Sequence, residues 1–424
     1  MPDLTIAPDG SHLLQDGTPF VLVADTAWSA FADATEAEWV HYLSRRRQQG
    51  FTAVAISVLP ILHDRTVRPG AVEPFDLLDN GEYDFTLPNE EYFARVGRFT
   101  ELALAHDLRP LLVLLWCNYV PGTWGAERTP WGVMAAADRR RYWEVVRTAL
   151  QGHQPIFALS GDDRFDSPAA NDAYREMMGW VTTEAPDCLV TAHSAPTAQL
   201  PEDIADSPDF DFFVYQSGHD IDAQERCYEL AARYRQRAVP KPVINLEPAY
   251  ERHGYGGGAG RYTAADVRKA VWWSITGGAS AGLGYGAHGI WQWHREGGEF
   301  TSPGFSMEPF PWQTALEFRG ATDVGLAGHL VARHGLFRLD ARQSLLREEN
   351  GRVRAAADAT EDLLVVYLPF ANEVALTADL SGYSAEAWDL EARAPLALRT
   401  EVGADGSVIR QPDVLGDVVM VFRR

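Results

Sequence analysis

Apolar positions along the chain follow two patterns, which change near residue 330. Before that point, short apolar runs typical of buried strands alternate with longer stretches in which apolar residues recur every three to four positions. The strand-like runs are 20–25, 51–59, 109–116, 155–162, 187–193, 210–216, 241–247 and 281–286. The clearest helical stretches are 36–50, 92–107, 139–152, 172–184, 223–237 and 264–278. Eight strands with mostly helical crossovers predict an α/β fold, a closed (β/α)₈ barrel.

The two ends of the chain predict antiparallel structure. Residues 4–24 contain two Asp-Gly turn signals and indicate a β-hairpin that leads into the first barrel strand. Beyond residue 330, short strand-like segments follow one another at intervals typical of a small β-sandwich. We therefore expect a catalytic barrel over residues 1–332 and a C-terminal β-sandwich over residues 333–424.

The composition narrows the possible ligands. There are 37 Lys and Arg against 59 Asp and Glu, which gives a formal net charge of −22. This balance argues against nucleic acid and anionic membranes as partners, because both attract basic surfaces. A few local arginines could still hold an acidic sugar.

Targeting and metal signals are missing from the sequence. The N-terminus has neither a basic nor an apolar leader segment, and no apolar run reaches about 18 residues, so we expect a cytoplasmic location. Cys117, Cys188 and Cys227 have no disulfide or zinc spacing, and the twelve histidines form no HExxH motif. We predict no bound metal and no cofactor.

Two predicted strands end in carboxylates. The fourth run ends in Asp162 and Asp163, and the seventh ends in Glu247. Catalytic groups of a barrel lie at the carboxyl ends of its strands, so these side chains are expected at one mouth. Such a pair can flank a glycosidic bond, where one group protonates the leaving oxygen and the other attacks carbon. Taken singly, each carboxylate could equally be a helix cap or an ion-pair partner.

Strand alternation indicates which of these side chains face the barrel lumen. In the fourth run, Ala158 and Ser160 are small and suit the lumen, and Asp162 continues their parity rather than Asp163. In the seventh run, the same reasoning places Glu247 on the lumenal face together with Val243 and Asn245, while Ile244 and Leu246 face the helices.

Several longer motifs resemble the apiosidase-like glycoside hydrolases (family 140). They are residues 9–31, 92–116, 157–163, 215–220, 241–251 and 270–293, in the order of that family, and the resemblance spans roughly residues 5–345. It implies a (β/α)₈ barrel followed by a β-sandwich. The family's Gly-Gly-Asp stands here as Ser160-Gly161-Asp162, which implies that Asp162 is the general acid/base. Its Gly-Glu-Pro stands as Leu246-Glu247-Pro248, which implies that Glu247 is the nucleophile.

Other residues at strand ends are candidates for contacts with sugar. Aromatic rings stack on the apolar faces of sugars, and polar groups bind the hydroxyls, although core packing is an equally good explanation for each ring alone. The candidates are Asp25, Trp28, Trp116, Asp163, His193, Gln216, His219, Tyr285, His288 and Trp291. Arg164 could hold a carboxylated sugar, but a role as the partner of Asp162 or Asp163 is more common.

Two glycine-rich motifs suggest other functions less well. Residues 278–282 fit the G-x-S-x-G elbow around Ser280, but a helix precedes the serine and a strand follows it, which reverses the required order. Residues 254–259 fit G-x-G-x-x-A without the strand–helix context of a nucleotide site. We expect the loop 251–262 to be mobile without ligand and to help close the site.

Together these observations predict a retaining hydrolase. The substrate is expected to be an apiosyl-type pentofuranoside in a plant-derived oligosaccharide or glycoside, with Glu247 ionised, Asp162 protonated and the carboxyls about 5–5.5 Å apart. The substrate class comes from the resemblance alone. The alternatives are a non-catalytic carbohydrate-binding protein and, less favoured, a serine esterase that uses Ser280.

Overall fold

The computed structural model describes residues 3–64, 72–129, 132–302, 304–348 and 350–424. The strands, in chain order, are β1 Leu4–Ile6, β2 Leu13–Gln15, β3 Thr18–Phe20, β4 Leu22–Thr26, β5 Ala53–Ser57, β6 Phe75–Leu77, β7 Tyr83–Pro88, β8 Arg109–Trp116, β9 Ile156–Gly161, β10 Val190–Thr191, β11 Phe213–Gln216, β12 Val243–Glu247, β13 Gly254–Tyr255, β14 Gly260–Arg261, β15 Gly282–Tyr285, β16 Asp340–Ala341, β17 Arg354–Ala357, β18 Leu363–Leu368, β19 Val374–Leu376, β20 Ser384–Asp389, β21 Ala394–Leu396, β22 Thr400–Gly403, β23 Gly406–Ile409 and β24 Val418–Arg423. The α-helices are α1 Ala30–Asp33, α2 Glu36–Gln48, α3 Glu90–Ala105, α4 Trp124–Arg128, α5 Ala136–Ala149, α6 Pro168–Glu184, α7 Glu202–Ala205, α8 Arg226–Arg235, α9 Ala264–Gly277, α10 Trp312–Leu316 and α11 Arg319–His334.

Eight parallel strands form the barrel, as the alternation of strand and helix patterns predicts. They pair in the order β10-β9-β8-β5-β4-β15-β12-β11, so that the first and last strands of the series lie next to each other. All six predicted helical stretches contain a helix, and α11 is a further long helix outside them. Between β10 and β11 the helical element is α7, a single turn of four residues.

Side chains and isolated backbone bonds close the seam between β10 and β11. These strands stand at the two ends of the pairing order. Asp211, just before β11, donates its backbone N–H to the Val190 carbonyl and accepts the Val190 N–H on its carboxylate at 2.6 Å. Thr191 donates its hydroxyl to the carbonyl of Phe212. The short fifth strand is thereby joined to the sixth without a regular ladder.

The N-terminal segment is a three-stranded antiparallel sheet, one strand more than the predicted hairpin. β1 pairs with β2, and β2 pairs with β3 through a two-residue turn at Asp16 and Gly17. Both turn residues have positive φ, 49° and 75°, which is the conformation that an Asp-Gly hairpin turn adopts.

The C-terminal region is a sandwich of two antiparallel sheets, as predicted. One sheet has the order β16-β17-β18-β24-β20-β21, and the other has the order β19-β23-β22. Alternation along β18 divides its side chains: Leu364 and Val366 join the core of the sandwich, whereas Val365 and Tyr367 join the barrel core. One face of the larger sheet is therefore buried against the barrel.

A buried ionic network joins the sandwich to the barrel helices. Arg268 of α9 donates to Asp417, just before β24, and to Asp323 of α11, both at 2.9 Å. Arg393 donates to the other oxygen of Asp323 at 2.6 Å. Because Arg268, Asp323 and Asp417 are all buried, the opposite charges satisfy one another away from water.

None of the helices in the described residues is long and apolar enough to cross a membrane. The three cysteines are free thiols, and Cys117 and Cys227 are buried.

Candidate active site

A cleft of about 560 Å³ opens at the carboxyl ends of the barrel strands. Asp162, which follows β9, and Glu247, the last residue of β12, both line it. The structure therefore brings the two predicted catalytic carboxylates into one cavity.

Asp162 enters the cleft through a sharp turn. β9 ends at Gly161, one residue earlier than the predicted run, and Asp162 has a left-handed backbone with φ 56°. A Cβ at Gly161 would lie 2.3 Å from the Trp116 ring, so only glycine fits beneath this turn. The fourth strand follows the predicted alternation, since Phe157 packs against Trp143 of α5, but the final turn and not the strand directs Asp162.

The Asp162 carboxylate has a different neighbour at each oxygen. Gln216 donates its side-chain amide to Oδ1 at 2.8 Å. The Nε2 atom of His63 lies 3.3 Å from Oδ2. The indole N–H of Trp124 donates to the backbone carbonyl at 2.8 Å, which fixes the residue from the main-chain side.

Glu247 enters the cleft through an irregularity in the pairing of β11 with β12. Tyr215 pairs with Asn245, but the next residue, Gln216, pairs with Glu247 and skips Leu246. The predicted parity of this strand was wrong at Asn245, whose amide donates to Ser274 of the outer helix α9 at 3.0 Å. Simple alternation would therefore have turned Glu247 away from the lumen, and the bulge turns it back.

Two histidines hold the buried Glu247 carboxylate. His219 Nε2 lies 3.1 Å from Oε1, and His193 Nε2 lies 3.1 Å from Oε2. Burial alone would raise the pKa of Glu247, but the two histidines outweigh burial and hold this pKa well below its usual range. Glu247 is consequently ionised throughout the physiological pH range.

The backbone fixes which nitrogen of each histidine carries the proton. The N–H of Asp162 donates to Nδ1 of His193, and the N–H of Tyr250 donates to Nδ1 of His219, both at 3.3 Å. A neutral imidazole that accepts at Nδ1 carries its proton on Nε2, the atom that faces Glu247. His193 thus connects the backbone of Asp162 to the side-chain carboxylate of Glu247.

Most of the predicted sugar contacts lie at this cleft. Trp28, Trp116, Gln216, His219 and Trp291 line it directly. His193 is fully buried behind Glu247 and contacts the rings of Trp28 and Trp116.

Four predicted contacts are placed elsewhere and do not line the cleft. Asp25 is buried against α2, where Arg46 and Tyr42 donate to its carboxylate. Asp163 is buried and accepts from the Phe165 backbone and the Tyr174 hydroxyl.

Tyr285 and His288 lie behind the cleft wall rather than on it. The Tyr285 hydroxyl donates to Glu251 at 2.7 Å, and Nε2 of His288 lies 2.6 Å from the Met307 carbonyl. Both side chains are fully buried. In all four cases the residue lies near the carboxyl end of a barrel strand, as predicted, but its side chain does not point into the cleft.

Several residues of the cleft were not singled out in the sequence. They are His63, Trp124, Arg128, Tyr250 and Phe305, whereas His253 and Tyr255 belong to the loop 251–262 that was expected to close the site. Tyr250 belongs to the PAYE segment that follows Glu247, and this proximity was an available signal. The others lie in loops whose course the strand pattern does not predict.

Tyr250 extends the polar contacts around Glu247. Its hydroxyl oxygen accepts the indole N–H of Trp28 at 2.8 Å. Burial, and then the neighbouring Glu247 carboxylate, raise the pKa of Tyr250 well above its ordinary value. The hydroxyl therefore keeps its proton and remains a donor at the cleft.

The glycine-rich loop forms part of the cleft wall. β13 and β14 pair as a short hairpin, and Gly254, Tyr255 and Gly256 line the cleft. Gly256, Gly257 and Gly258 all have positive φ at its tip. The loop lies where closure over Glu247 requires, and its mobility stays a prediction.

Ser280 lies at the opposite end of the barrel. It is buried between the end of α9 and the start of β15, and strand starts lie away from the cleft. The reversed helix-then-strand order read from the sequence is the order observed.

Comparisons with known proteins agree with this architecture. Solved structures similar to the chain include one described as a glycoside hydrolase, at 18% identity and a TM-score of 0.81, which covers 100% of this chain and 97% of that chain. A glycoside hydrolase family 5 protein from Bacteroides vulgatus ATCC 8482 matches at 19% identity and a TM-score of 0.82, with 99% and 93% coverage. A family 5 mannosidase from Rhizomucor miehei matches at 12% identity and a TM-score of 0.51, with 78% and 98% coverage. At these identities the likeness concerns the fold.

A family comparison covers the barrel itself. None of the functionally curated proteins matches the chain. The family model described as "Apiosidase-like, catalytic domain" matches residues 8–338, which include every barrel strand and both cleft carboxylates. The chain therefore belongs to the apiosidase-like family of glycoside hydrolases.

Proposed function

We propose that the protein is a retaining glycosidase in which Glu247 is the nucleophile and Asp162 the general acid/base. The observation that carries this proposal is the difference between the two carboxylates. Glu247 is buried, ionised and held by two histidines, whereas Asp162 is partly exposed, and within the described residues its Oδ2 contacts only the His63 imidazole. An anionic nucleophile and a proton donor across one cleft are what double displacement requires.

Each residue has a defined task in this mechanism. Glu247 attacks the anomeric carbon while Asp162 protonates the departing oxygen, so that a glycosyl–enzyme ester forms and the aglycone leaves. Water then attacks the anomeric carbon from the side that the aglycone vacated, and Asp162 takes its proton. The ester bond breaks, and Glu247 regains its charge in the pocket formed by His193 and His219.

The proposed substrate is an apiosyl-type pentofuranoside of plant origin. Membership of the apiosidase-like family supports this class. The walls of the cleft suit a sugar, because the rings of Trp28, Trp116 and Trp291 offer apolar faces, and Gln216 and Tyr250 offer polar groups. Asp163, Asp25, Tyr285 and His288 take no part in contacts with sugar in this proposal, since they support the walls from behind.

The test is a substrate screen followed by two substitutions. Wild type is assayed on aryl and natural glycosides, and the configuration of the first-formed product is read by NMR. Glu247→Ala should lose at least about 10⁴-fold in turnover on every substrate. Asp162→Ala should keep the first step for substrates with good leaving groups, since these need little protonation, and azide should rescue its second step.

The outcomes separate the competing functions. A product of inverted configuration would contradict the retaining mechanism and the carboxyl spacing of about 5–5.5 Å that is expected for it. Full activity in Glu247→Ala would remove the assignment of the nucleophile. Sugar binding without turnover on any glycoside would favour a carbohydrate-binding protein, and inactivation by a serine-directed phosphonate would favour an esterase.

A further inference from the structure

His63 is held against the general acid/base by three surrounding elements. It lies in the loop after β5, and its Nε2 is 3.3 Å from Oδ2 of Asp162. Its ring lies 5.5 Å from that of Phe305, nearly parallel, and 5.8 Å from that of Trp124. Hydroxyls of the loop that carries Phe305 donate to the His63 carbonyl. The imidazole is therefore positioned by contacts on several sides.

The oxygen that His63 contacts is the one through which Asp162 must exchange its proton. Oδ1 accepts the Gln216 amide and so presents a lone pair to a donor. Oδ2 is left to carry the catalytic proton. The side chains of His63 and Asp162 are 19% and 18% exposed, so substrate in the cleft can reach both of them.

A carboxyl and an imidazole in contact share one proton unequally. Free aspartic acid loses its proton near pH 4, and free imidazole loses it near pH 6.5. When two such groups share one proton, the proton resides mainly on the more basic imidazole. Such a pair keeps a transferable proton at a pH where an isolated aspartic acid is already ionised.

Charged groups of both signs surround this pair. Glu247, across the cleft, favours a protonated imidazole, and Asp64 follows His63 in the chain. Arg128 and Arg164 lie over the Trp124 ring, at 4.9 and 5.8 Å from its centroid. Their positive charges disfavour a protonated imidazole. The Asp162 carboxylate contacts the imidazole directly at 3.3 Å, and we expect this contact to outweigh the other charges because electrostatic interactions weaken with distance.

We propose that His63 is a positioning residue that stores the catalytic proton and supplies it to Asp162. This inference rests on the proposed function and changes one part of it, since the resting proton lies on the imidazole and not on the carboxyl. As the glycosidic C–O bond breaks, its electron pair goes to the oxygen, and one proton moves from Nε2 of His63 to Oδ2 and on to that oxygen. When water attacks the glycosyl ester, its proton returns through Oδ2 to Nε2. Both residues then have their starting charges.

The test compares pH profiles of kcat/KM on a glycoside with a poor leaving group. His63→Gln keeps a hydrogen-bond donor beside Oδ2 but cannot hold a proton at neutral pH. Its basic limb should lie at lower pH than that of the wild type, with about a tenfold to hundredfold loss at pH 7 that shrinks steadily toward the acid end of the profile. On an activated aryl glycoside the first step should change less than threefold. His41→Gln, a histidine on the exposed side of α2, is the matched control and should keep the wild-type profile.

Further variants keep the inference falsifiable. His63→Phe preserves the ring contact with Phe305 and should show the same shifted limb as His63→Gln. Added to Asp162→Ala, His63→Gln should have no further effect, because the stored proton has no acceptor. A wild-type limb in His63→Gln would overturn the inference and leave only a hydrogen-bonding role. Absence of glycosidase activity in the wild type would instead refute the proposed function, so the two failures are distinguishable.

Discussion

At the scale of residues, two features of the site act on the charge of the Glu247 carboxylate in opposite directions. Burial of Glu247 favours its neutral form, and the contacts from His193 and His219 favour its charged form. The contacts prevail because each imidazole is oriented by a backbone N–H before substrate arrives. Donors oriented in advance can stabilise a buried anion without reorganisation, which the proposed role of Glu247 as nucleophile requires.

The two histidines beside Glu247 should set the position of the acid limb of the pH profile. In the proposed mechanism activity requires ionised Glu247, so its lowered pKa should keep this limb at low pH in the wild type. His193→Ala or His219→Ala removes one stabilising contact, and the pKa of Glu247 rises, so the limb should move to higher pH by at least about 1 unit. The measurement is kcat/KM from pH 3 to 7 on an activated substrate. His41→Ala should leave the limb in place, and an unmoved limb in both site variants would refute the electrostatic role.

At the scale of elements, the seam between β10 and β11 and the β13–β14 hairpin are the irregular parts of the barrel. In the seam, the Asp211 carboxylate accepts the Val190 N–H in place of a strand carbonyl. Burial raises the pKa of Asp211 to about 6. A titratable group therefore takes part in closing the barrel.

Asp211 should make stability depend on pH with a definite sign. Its pKa is higher in the folded chain than in the unfolded one, so its contribution to the free energy of unfolding is full below about pH 4 and is lost as the pH rises through about 6. Asp211→Asn keeps an acceptor for Val190 and removes the ionisation. The Tm of this variant relative to wild type should rise between pH 4 and pH 7 by a few degrees. Asp405→Asn, an exposed control in the sandwich, should show a constant difference.

The β13–β14 hairpin provides a prediction about dynamics. Added Cβ atoms at Gly257 and Gly258 would meet no atom within 4 Å, whereas the base of the hairpin is bonded through Arg252 and Tyr262. Amides 256–259 should exchange rapidly with solvent in the free protein and at least about fivefold more slowly with a bound substrate analogue. Residues 111–115 of β8 serve as the protected reference. Equal exchange at the tip with and without ligand would show that the loop does not close.

At the scale of the whole molecule, the sandwich packs against the barrel helices α9 and α11, which flank the eighth barrel strand, β15. Its larger sheet buries Val365, Tyr367 and Val419 against the barrel core. The Arg268 network connects α9, α11 and the segment before β24 through buried charges. The two parts are therefore expected to unfold together.

Loss of one charge from this network should destabilise the entire chain. Asp417→Ala leaves part of the Arg268 guanidinium buried without a partner, and the free energy of unfolding should fall by about 3 kcal/mol. Chemical denaturation followed by tryptophan fluorescence and circular dichroism measures it. Glu401→Ala removes an exposed partner of Arg410 and should leave the free energy of unfolding nearly unchanged. Similar losses in the two variants would mean that the buried network is not the dominant link.

The sequence by itself determined the barrel, the sandwich and the location of the site at the carboxyl ends of the barrel strands. The period of the apolar pattern fixes which segments are strands and helices, and parallel strands must present their carboxyl ends at one mouth. For this reason Asp162 and Glu247 were found from local pattern and from the motifs around them. Turn residues such as Asp16-Gly17 were equally readable, because their conformational demands are local.

Only the tertiary structure decided the directions of side chains. The left-handed turn at Asp162 and the bulge before Glu247 break the alternation on which a sequence-based assignment rests, and both depend on contacts with neighbouring strands. Asp25 and Asp163 are buried behind the cleft because side chains from the surrounding helices bind their carboxylates. Arg46 of α2 binds Asp25, and Tyr174 of α6 binds Asp163. His63 and Phe305 reached the cleft on loops, whose paths are set by packing and leave no periodic signal in the chain.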